Sequence, residues 1–312
     1  MKKVVVTGGC GFIGSHIVEE AVSRDYEVTI IDNLNTGYKK NIEPYLNNPK
    51  VKWVNASILD QAVLNNEFKG VNYVFHLAAL ISVPESMDKP HDYIDINVQG
   101  TLNVLEACKK NGVESITLSS SAAIYGDNPV IPKEENMAPE PKSPYAITKL
   151  DGEYYFDLYA REHGIRATAL RYFNVFGPRQ DPQSQYAAAM PIFISKAVNN
   201  QPITIYGDGN QTRDFVYVKD VVQANFLAAE KGQVGVYNTA WGQRITIKDL
   251  AEKIIELTNS KSEINHLPER AGDIKHSMAS NQKIIDELQF KASSDLDSGI
   301  SATIDYFTSL NK

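Results

Sequence analysis

Val4-Val5-Val6-Thr7-Gly8-Gly9-Cys10-Gly11-Phe12-Ile13-Gly14 is the stretch whose reading decides the fold. A short β-branched run stops at glycines spaced GxxGxxG (Gly8, Gly11 and Gly14), and an amphipathic stretch over 13–23 follows. Glycine there lets the chain turn tightly and lets a pyrophosphate approach the backbone at a helix N-terminus. The spacing alone is weak, because tight strand-helix turns recur without ligands. The next strand, residues 28–32, supplies the context by ending in Asp32, eighteen residues beyond Gly14. Its carboxylate can accept a hydrogen bond from a ribose 2′-hydroxyl and would repel a 2′-phosphate. No arginine follows it; the chain continues Asn33-Leu34-Asn35-Thr36-Gly37. NAD is therefore predicted over NADP. Cys10 reads as loop packing, since no second cysteine lies near it.

Outward from this stretch, further strands are predicted at 51–54, 73–78, 115–119 and 167–171, with an amphipathic segment at 97–110. Strand-helix alternation argues a parallel sheet covered on both faces. After Gly177 the texture changes: proline, glycine and glutamine gather at 177–191 and 207–210, and helices are predicted at 219–230, 247–258 and 282–288. The expected architecture is α/β, a Rossmann-type doubly wound parallel sheet with a smaller, discontinuous C-terminal lobe. Residues 1–173 with about 212–240 would bind NAD, and about 174–211 with 241–312 would bind substrate.

The bulk properties are those of a soluble globular chain: 312 residues, 43% hydrophobic and 22% charged. A net charge of −7 gives no support to nucleic-acid binding. Two cysteines are too few for a disulfide framework, and none of the six histidines shows a zinc-type spacing. With no secretory pattern at the N-terminus and no apolar run of membrane-span length, a cytoplasmic protein is expected.

The chemistry-bearing residues come next. Ser119-Ser120-Ser121 closes a predicted strand, and Tyr145 and Lys149 are four apart, so a helix would put them on one face. A phenol has an ordinary pKa of about 10 and is a poor base. A nearby ammonium and a positive nicotinamide ring would favour its phenolate, and Ser121 could complete a hydrogen-bond path to a substrate hydroxyl.

Seven segments in order, TGGCGFIG (7–14), HLAAL (76–80), NVQGT (97–101), SSSAAIYG (119–126), YAITK (145–149), LRYFNVFGP (170–178) and GDGNQTRDFVYV (207–218), resemble the extended short-chain dehydrogenases. Within that family the match is to the nucleotide-sugar 4-epimerases, over nearly the whole chain. The resemblance implies a seventh strand contributed late, tightly held NAD, and a homodimer packed through two helices of each subunit. It also implies site residues. Tyr145 is the base, Lys149 holds the nicotinamide ribose, and Ser121 assists at the substrate hydroxyl. NAD would be lined by Gly8, Gly11, Phe12, Ile13, Gly14, Asp32, Asn33, Asn35, Thr36, Gly37, Ser57, Ile58, Leu77, Ala78, Ala79, Asn97, Tyr145, Lys149 and Tyr172. For the sugar nucleotide, Asn174 contacts the diphosphate, Arg213 and Arg270 grip it, Tyr206 lies by the uracil and Asp273 by its ribose. Ser82, Ser121, Tyr145, Ala189 and Ser277 complete that side.

There are departures. Ser57 stands where many relatives have an aspartate for the adenine amino group, Ala123 where several epimerases have threonine, and Ile81 where some have lysine. Sibling dehydratases place an Asp-Glu pair after the serine and decarboxylases keep a glutamate; here both positions are alanine, Ala122 and Ala123. With no acid to protonate a leaving hydroxyl, dehydration lacks its donor and epimerisation does not need one. Ser277 matches a position beside sugar carbon 2 where tyrosine excludes an N-acetyl group. The expectation is a 4-epimerase of UDP-hexoses that accepts UDP-GlcNAc and UDP-GalNAc as well as UDP-Glc and UDP-Gal. Two other readings stay open: another NAD-dependent nucleotide-sugar oxidoreductase, acting on a uronic acid or deoxysugar, and a dinucleotide-sensing regulator without turnover. Sensors of that kind generally lack the tyrosine-lysine pair.

Overall fold

The computed structural model describes residues 1–183, 188–269, 275–292 and 295–310. Strands β1 (Lys3–Thr7), β2 (Glu27–Ile31), β3 (Val51–Val54), β4 (Tyr73–His76), β5 (Ser115–Ser121) and β6 (Arg166–Tyr172) arise in turn from the first half of the chain. Short strands follow, β7 (Asn174–Phe176), β8 (Ile203–Tyr206), β9 (Thr212–Arg213) and β10 (Phe215–Tyr217), before β11 (Gly235–Thr239) returns to the sheet. The central sheet has seven strands in the order β3-β2-β1-β4-β5-β6-β11, all pairs parallel. The order reverses between β1 and β4, the switch point outside which ligands bind in open α/β sheets. The late strand implied by the resemblance is β11.

Both sheet faces are covered, which is why these strands read as continuous apolar runs. Helices α1 (Phe12–Ser23), α2 (Gln61–Glu67), α3 (Val83–Asp88), α4 (Pro90–Tyr93), α5 (Gly100–Asn111), α6 (Pro144–His163), α7 (Ala189–Val198) and α8 (Val218–Lys231) follow in chain order. Val4 and Val6 of β1 face α1 and α8 with Ile17, Val18, Val222 and Phe226, while Val5 faces α5 and α6 with Leu105 and Phe156. Each such buried side chain contributes about 1.5–3 kcal/mol relative to exposure.

The expected helix over 97–110 is interrupted: a π-helical turn over Ile94–Gln99 precedes α5. A Cβ on Gly100 would lie 2.4 Å from Ile58 Cδ1, so glycine lets the helix settle on that side chain.

Strand β12 (Ile245–Thr246), helix α9 (Ile247–Thr258), strand β13 (Ile264–Leu267), and helices α10 (Gln282–Leu288) and α11 (Leu296–Ser309) complete the chain. A second core joins α7, α9 and α11 through Phe193, Leu250, Ile254 and Ile300. The pairs β7–β10, β8–β13 and β9–β12 lie outside the main sheet. Helix α10, within the 241–312 stretch expected to form the substrate lobe, packs instead on the sheet side, where Ile284 and Leu288 meet Leu170, Tyr172 and Ala228.

One buried ion pair ties α6 to the sheet. Glu153 accepts from Arg171 Nε (2.9 Å) and Nη2 (2.7 Å) and from Ser120 Oγ at 2.5 Å. Both charged residues are about 4% exposed, so neither has water to fall back on. Glu153→Gln should lower the unfolding free energy by about 3–5 kcal/mol, because it strands a buried guanidinium. Replacing both with Leu and Met should cost less than that single change. A denaturation series giving the double variant the larger loss would show that the charge pairing is not what matters there.

Candidate active site

The cradle begins where β1 stops. Gly8 has φ +72°, and a Cβ there would lie 2.7 Å from Ala78 N; a Cβ on Gly14 would lie 2.1 Å from Gly8 O. Only glycine allows strand, turn and helix to pack this closely. Gly11 is the N-cap of α1 and has no side chain to cap it, and no acidic residue lies in the first turn. The first-turn N–H groups, those of Phe12 and Ile13 among them, therefore meet an anion on favourable terms. These features fit the diphosphate of a dinucleotide.

Asp32 follows β2 and is 8% exposed. Oδ2 accepts the Cys10 N–H (2.9 Å) and Oδ1 the Leu34 N–H (2.8 Å), so the carboxylate fastens the glycine loop to its own. Burial pushes its carboxyl up, and the two N–H donors oppose that. Each oxygen keeps a lone pair for a ribose hydroxyl. Gly37 closes against this corner, where a Cβ would lie 2.9 Å from Cys10. Asn33, Asn35 and Thr36 form an exposed rim. Ser57 Oγ accepts the Leu59 N–H at 3.2 Å, and Ile58 is buried under Gly100.

The half-buried loop of Leu77, Ala78 and Ala79 is set by a chain of hydrogen bonds with one direction. Ala78 N–H donates to Thr7 Oγ1 (3.3 Å), and Thr7 donates to His76 Nδ1 (2.8 Å), because Thr101 spends its own proton on Asn97 O and so takes that of His76 Nε2. His76 then carries its proton on Nε2 and donates to Thr101 Oγ1 (3.0 Å), which donates to Asn97 O (2.5 Å). Complete burial holds His76 neutral, with its pKa lowered to about 3. The resemblance puts Asn97 at the cofactor. Its amide spans the Leu80 N–H (2.8 Å) and C=O (2.9 Å) and donates to Thr148 Oγ1 (3.0 Å). Both Nδ2 protons thus go to protein atoms, and what Asn97 fixes is the loop and its distance from α6.

Ser143 caps α6 and Pro144 opens it, placing Tyr145 in the first turn and Lys149 in the second. Lys149 Nζ lies 5.9 Å from the Tyr145 ring centre and donates to Ser119 O at 2.8 Å. Burial lowers the Lys149 pKa to about 8. Burial also raises that of Tyr145, and the Ser121 hydroxyl opposes the rise. In the protein alone, desolvation thus outweighs the ammonium effect expected from the sequence. Ser121 Oγ accepts the Ala123 N–H at 3.1 Å. Tyr93 meets the Tyr145 ring edge-on at 6.5 Å and donates its hydroxyl to Ser82 O at 2.7 Å. Nothing in the spacing of the sequence singles out this brace.

On the substrate side, Ser82 caps α3 and Ala189 opens α7. Asn174 Nδ2 donates to Asp214 O (3.0 Å), Arg213 Nη1 to Thr212 O (3.0 Å), and Ser277 N–H to Thr212 O (3.1 Å). These three are gathered at one place. Tyr206 closes β8, and the buried Tyr172 hydroxyl accepts from Asn225 (2.7 Å). Arg270 and Asp273 lie outside the described residues. Among the described residues, no cluster of metal-ligating side chains occurs, and no helix is long and apolar enough to cross a membrane.

Comparison with known proteins agrees with this architecture. The sequence model of the NAD dependent epimerase/dehydratase family matches residues 4–240. A UDP-glucose 4-epimerase of Mycolicibacterium smegmatis is 34% identical over 309 residues, 98% of each chain. The structure of a UDP-N-acetylglucosamine 4-epimerase from Methanobrevibacter ruminantium, in complex with UDP-N-acetylmuramic acid, superposes with a TM-score of 0.95 at 44% identity, covering 99% of both chains. A Thermus thermophilus UDP-glucose 4-epimerase in complex with NAD gives 0.88 at 36% identity, covering 98% of both. The chain belongs to the NAD-dependent epimerase/dehydratase family.

Proposed function

We propose that this protein is an NAD-dependent 4-epimerase of UDP-hexoses that accepts UDP-GlcNAc and UDP-GalNAc as well as UDP-Glc and UDP-Gal. The observation that carries the reading is Lys149 Nζ 5.9 Å from the Tyr145 ring centre and anchored on Ser119 O, with Ala122 and Ala123 where a leaving-group acid would have to stand. Gly8, Gly11, Gly14 and Asp32 would hold NAD, and what it supplies when bound is a hydride acceptor and donor for sugar carbon 4. Tyr145 takes the proton of the 4-hydroxyl and later returns it, with Ser121 holding the oxygen in line. Lys149, anchored on Ser119 O, orients the nicotinamide ribose and keeps positive charge near the phenol. Asn174, Arg213 and Arg270 retain the diphosphate, leaving the 4-keto ring free to present its other face. The protein would work in the cytoplasm as a homodimer. Ile147, Tyr154 and Leu158 make an exposed apolar stripe on α6 that supports pairing of helices.

Tyr145→Phe should leave the fold and NAD content intact and reduce turnover about a hundredfold to ten-thousandfold. Near-normal turnover of that variant would remove Tyr145 from its role. A panel scored by chromatography should show interconversion at carbon 4 of both plain and acetylated UDP-hexoses; conversion of a UDP-uronate alone would point to the sibling oxidoreductases. Ser277→Tyr should suppress the acetylated substrates selectively, and an unchanged preference would refute its place beside carbon 2. Light scattering should give twice the 34.7 kDa chain mass; a monomer would discard the helix pairing.

A further inference from the structure

Asp214 has no part in the chemistry above, yet it is fully buried where the substrate-side segments meet. Its Oδ1 accepts the Trp241 N–H at 2.9 Å, and its Oδ2 accepts the N–H groups of Gly242 and Ala279, each at 3.1 Å. Burial pushes this carboxyl up to about 7, against the three donors that hold it charged. A carboxylate out of water is costly unless hydrogen bonds replace the solvent, and charge-assisted bonds to backbone N–H are strong replacements. The partners come from two places distant in sequence. Trp241 and Gly242 lie just past the end of β11, the edge strand of the main sheet, and Ala279 lies two residues beyond Ser277.

The rest of this short run binds the same segments. The Asp214 carbonyl accepts both the backbone N–H (3.2 Å) and the side-chain amide (3.0 Å) of Asn174. Thr212 gives its N–H to Lys275 O (2.9 Å), takes the Ser277 N–H on its own carbonyl (3.1 Å), and pairs Oγ1 with His276 Nδ1 at 3.0 Å. Asn174, Arg213 and Ser277 therefore all hang from residues 212–214, and the carboxylate of Asp214 pins that run to the sheet edge.

Resting on the epimerase reading, we propose that Asp214 is a positioning residue of the nucleotide-sugar pocket. Its carboxylate fixes residues 275–279 and the Trp241 turn before substrate arrives, and so sets the place of the groups that retain the diphosphate and border the sugar. A group acting this way stabilises bound substrate and transition state alike, so its loss raises KM without lowering kcat to match. A purely structural bond would lower stability, NAD content and kcat together.

Asp214→Asn keeps the shape but sets an NH2 group among three N–H donors. In this variant the Kd for UDP and the KM for UDP-sugar should rise roughly tenfold to a hundredfold, as for the loss of charge-assisted hydrogen bonds. NAD should stay stoichiometric, and kcat at saturation should change by less than about threefold. Unchanged KM, or joint loss of NAD, kcat and thermal stability, would overturn the proposal. Should the variant not fold, hydrogen exchange on the wild-type protein decides: the Trp241, Gly242 and Ala279 amides should be protected before UDP is added. Free exchange at those amides until UDP binds would overturn the proposal equally. Wild-type protein that binds UDP but converts no UDP-sugar would sink the epimerase reading and leave Asp214 in place, whereas protein that holds no UDP would remove both.

Discussion

The register of β1 between its two neighbours is the constraint on which everything else depends. Thr7 pairs with Ile31 on one side and His76 on the other, so three strands end at one level. Their continuations, Gly8, Asp32 and Leu77, then emerge together at the sheet edge. Parallel pairing has a side-chain period of two, so a slip of one residue would turn Val5 toward α1 and aim the loops apart. The absence of a Cβ at Gly8 and Gly14 serves the same end, letting α1 start against the β4 loop rather than above it.

The same levelling recurs one step along the sheet. Ser121 pairs with Tyr172, and Tyr172 with Thr239, so Ser121, a buried tyrosine and the edge leading to Trp241 share a line. Helix α6 is held to that line through its first half, where Lys149 donates to Ser119 O. Ser143 caps its start, while Glu153 takes Ser120 and Arg171 two turns beyond Tyr145. The distance between Ser121 and Tyr145 is thereby a property of the sheet rather than of a loop.

Much of the fold and part of the site were legible in the sequence, for a physical reason. Glycine spacing, an acid at a strand end and a Tyr-Lys pair four apart each report a local requirement of backbone or helix face. The first six strands were legible too, because apolar runs bounded by turns mark buried strands. What stayed hidden depends on partners far apart in the chain. No motif reports that the Asn97 amide ties the Leu80 backbone to Thr148. The direction of the Tyr145 shift follows from burial, which no motif reports. The two-residue strands β9 and β12 are too short to carry a pattern, and α10 returns to the sheet side only because Ile284 and Leu288 find Leu170 and Tyr172 there.

The path of the chain after β6 has a mechanical consequence. It leaves the sheet for α7, returns with α8 and β11, departs again through α9, comes back with α10 and leaves once more as α11. A structure laced this way offers no single hinge about which one layer could swing away from the other. Large opening and closing is disfavoured, and neither layer can be cut out as a self-standing piece. In a reaction that must show both faces of one carbon to a fixed reactant, the rotation then falls to the small molecule, and the protein serves as the rigid frame around it.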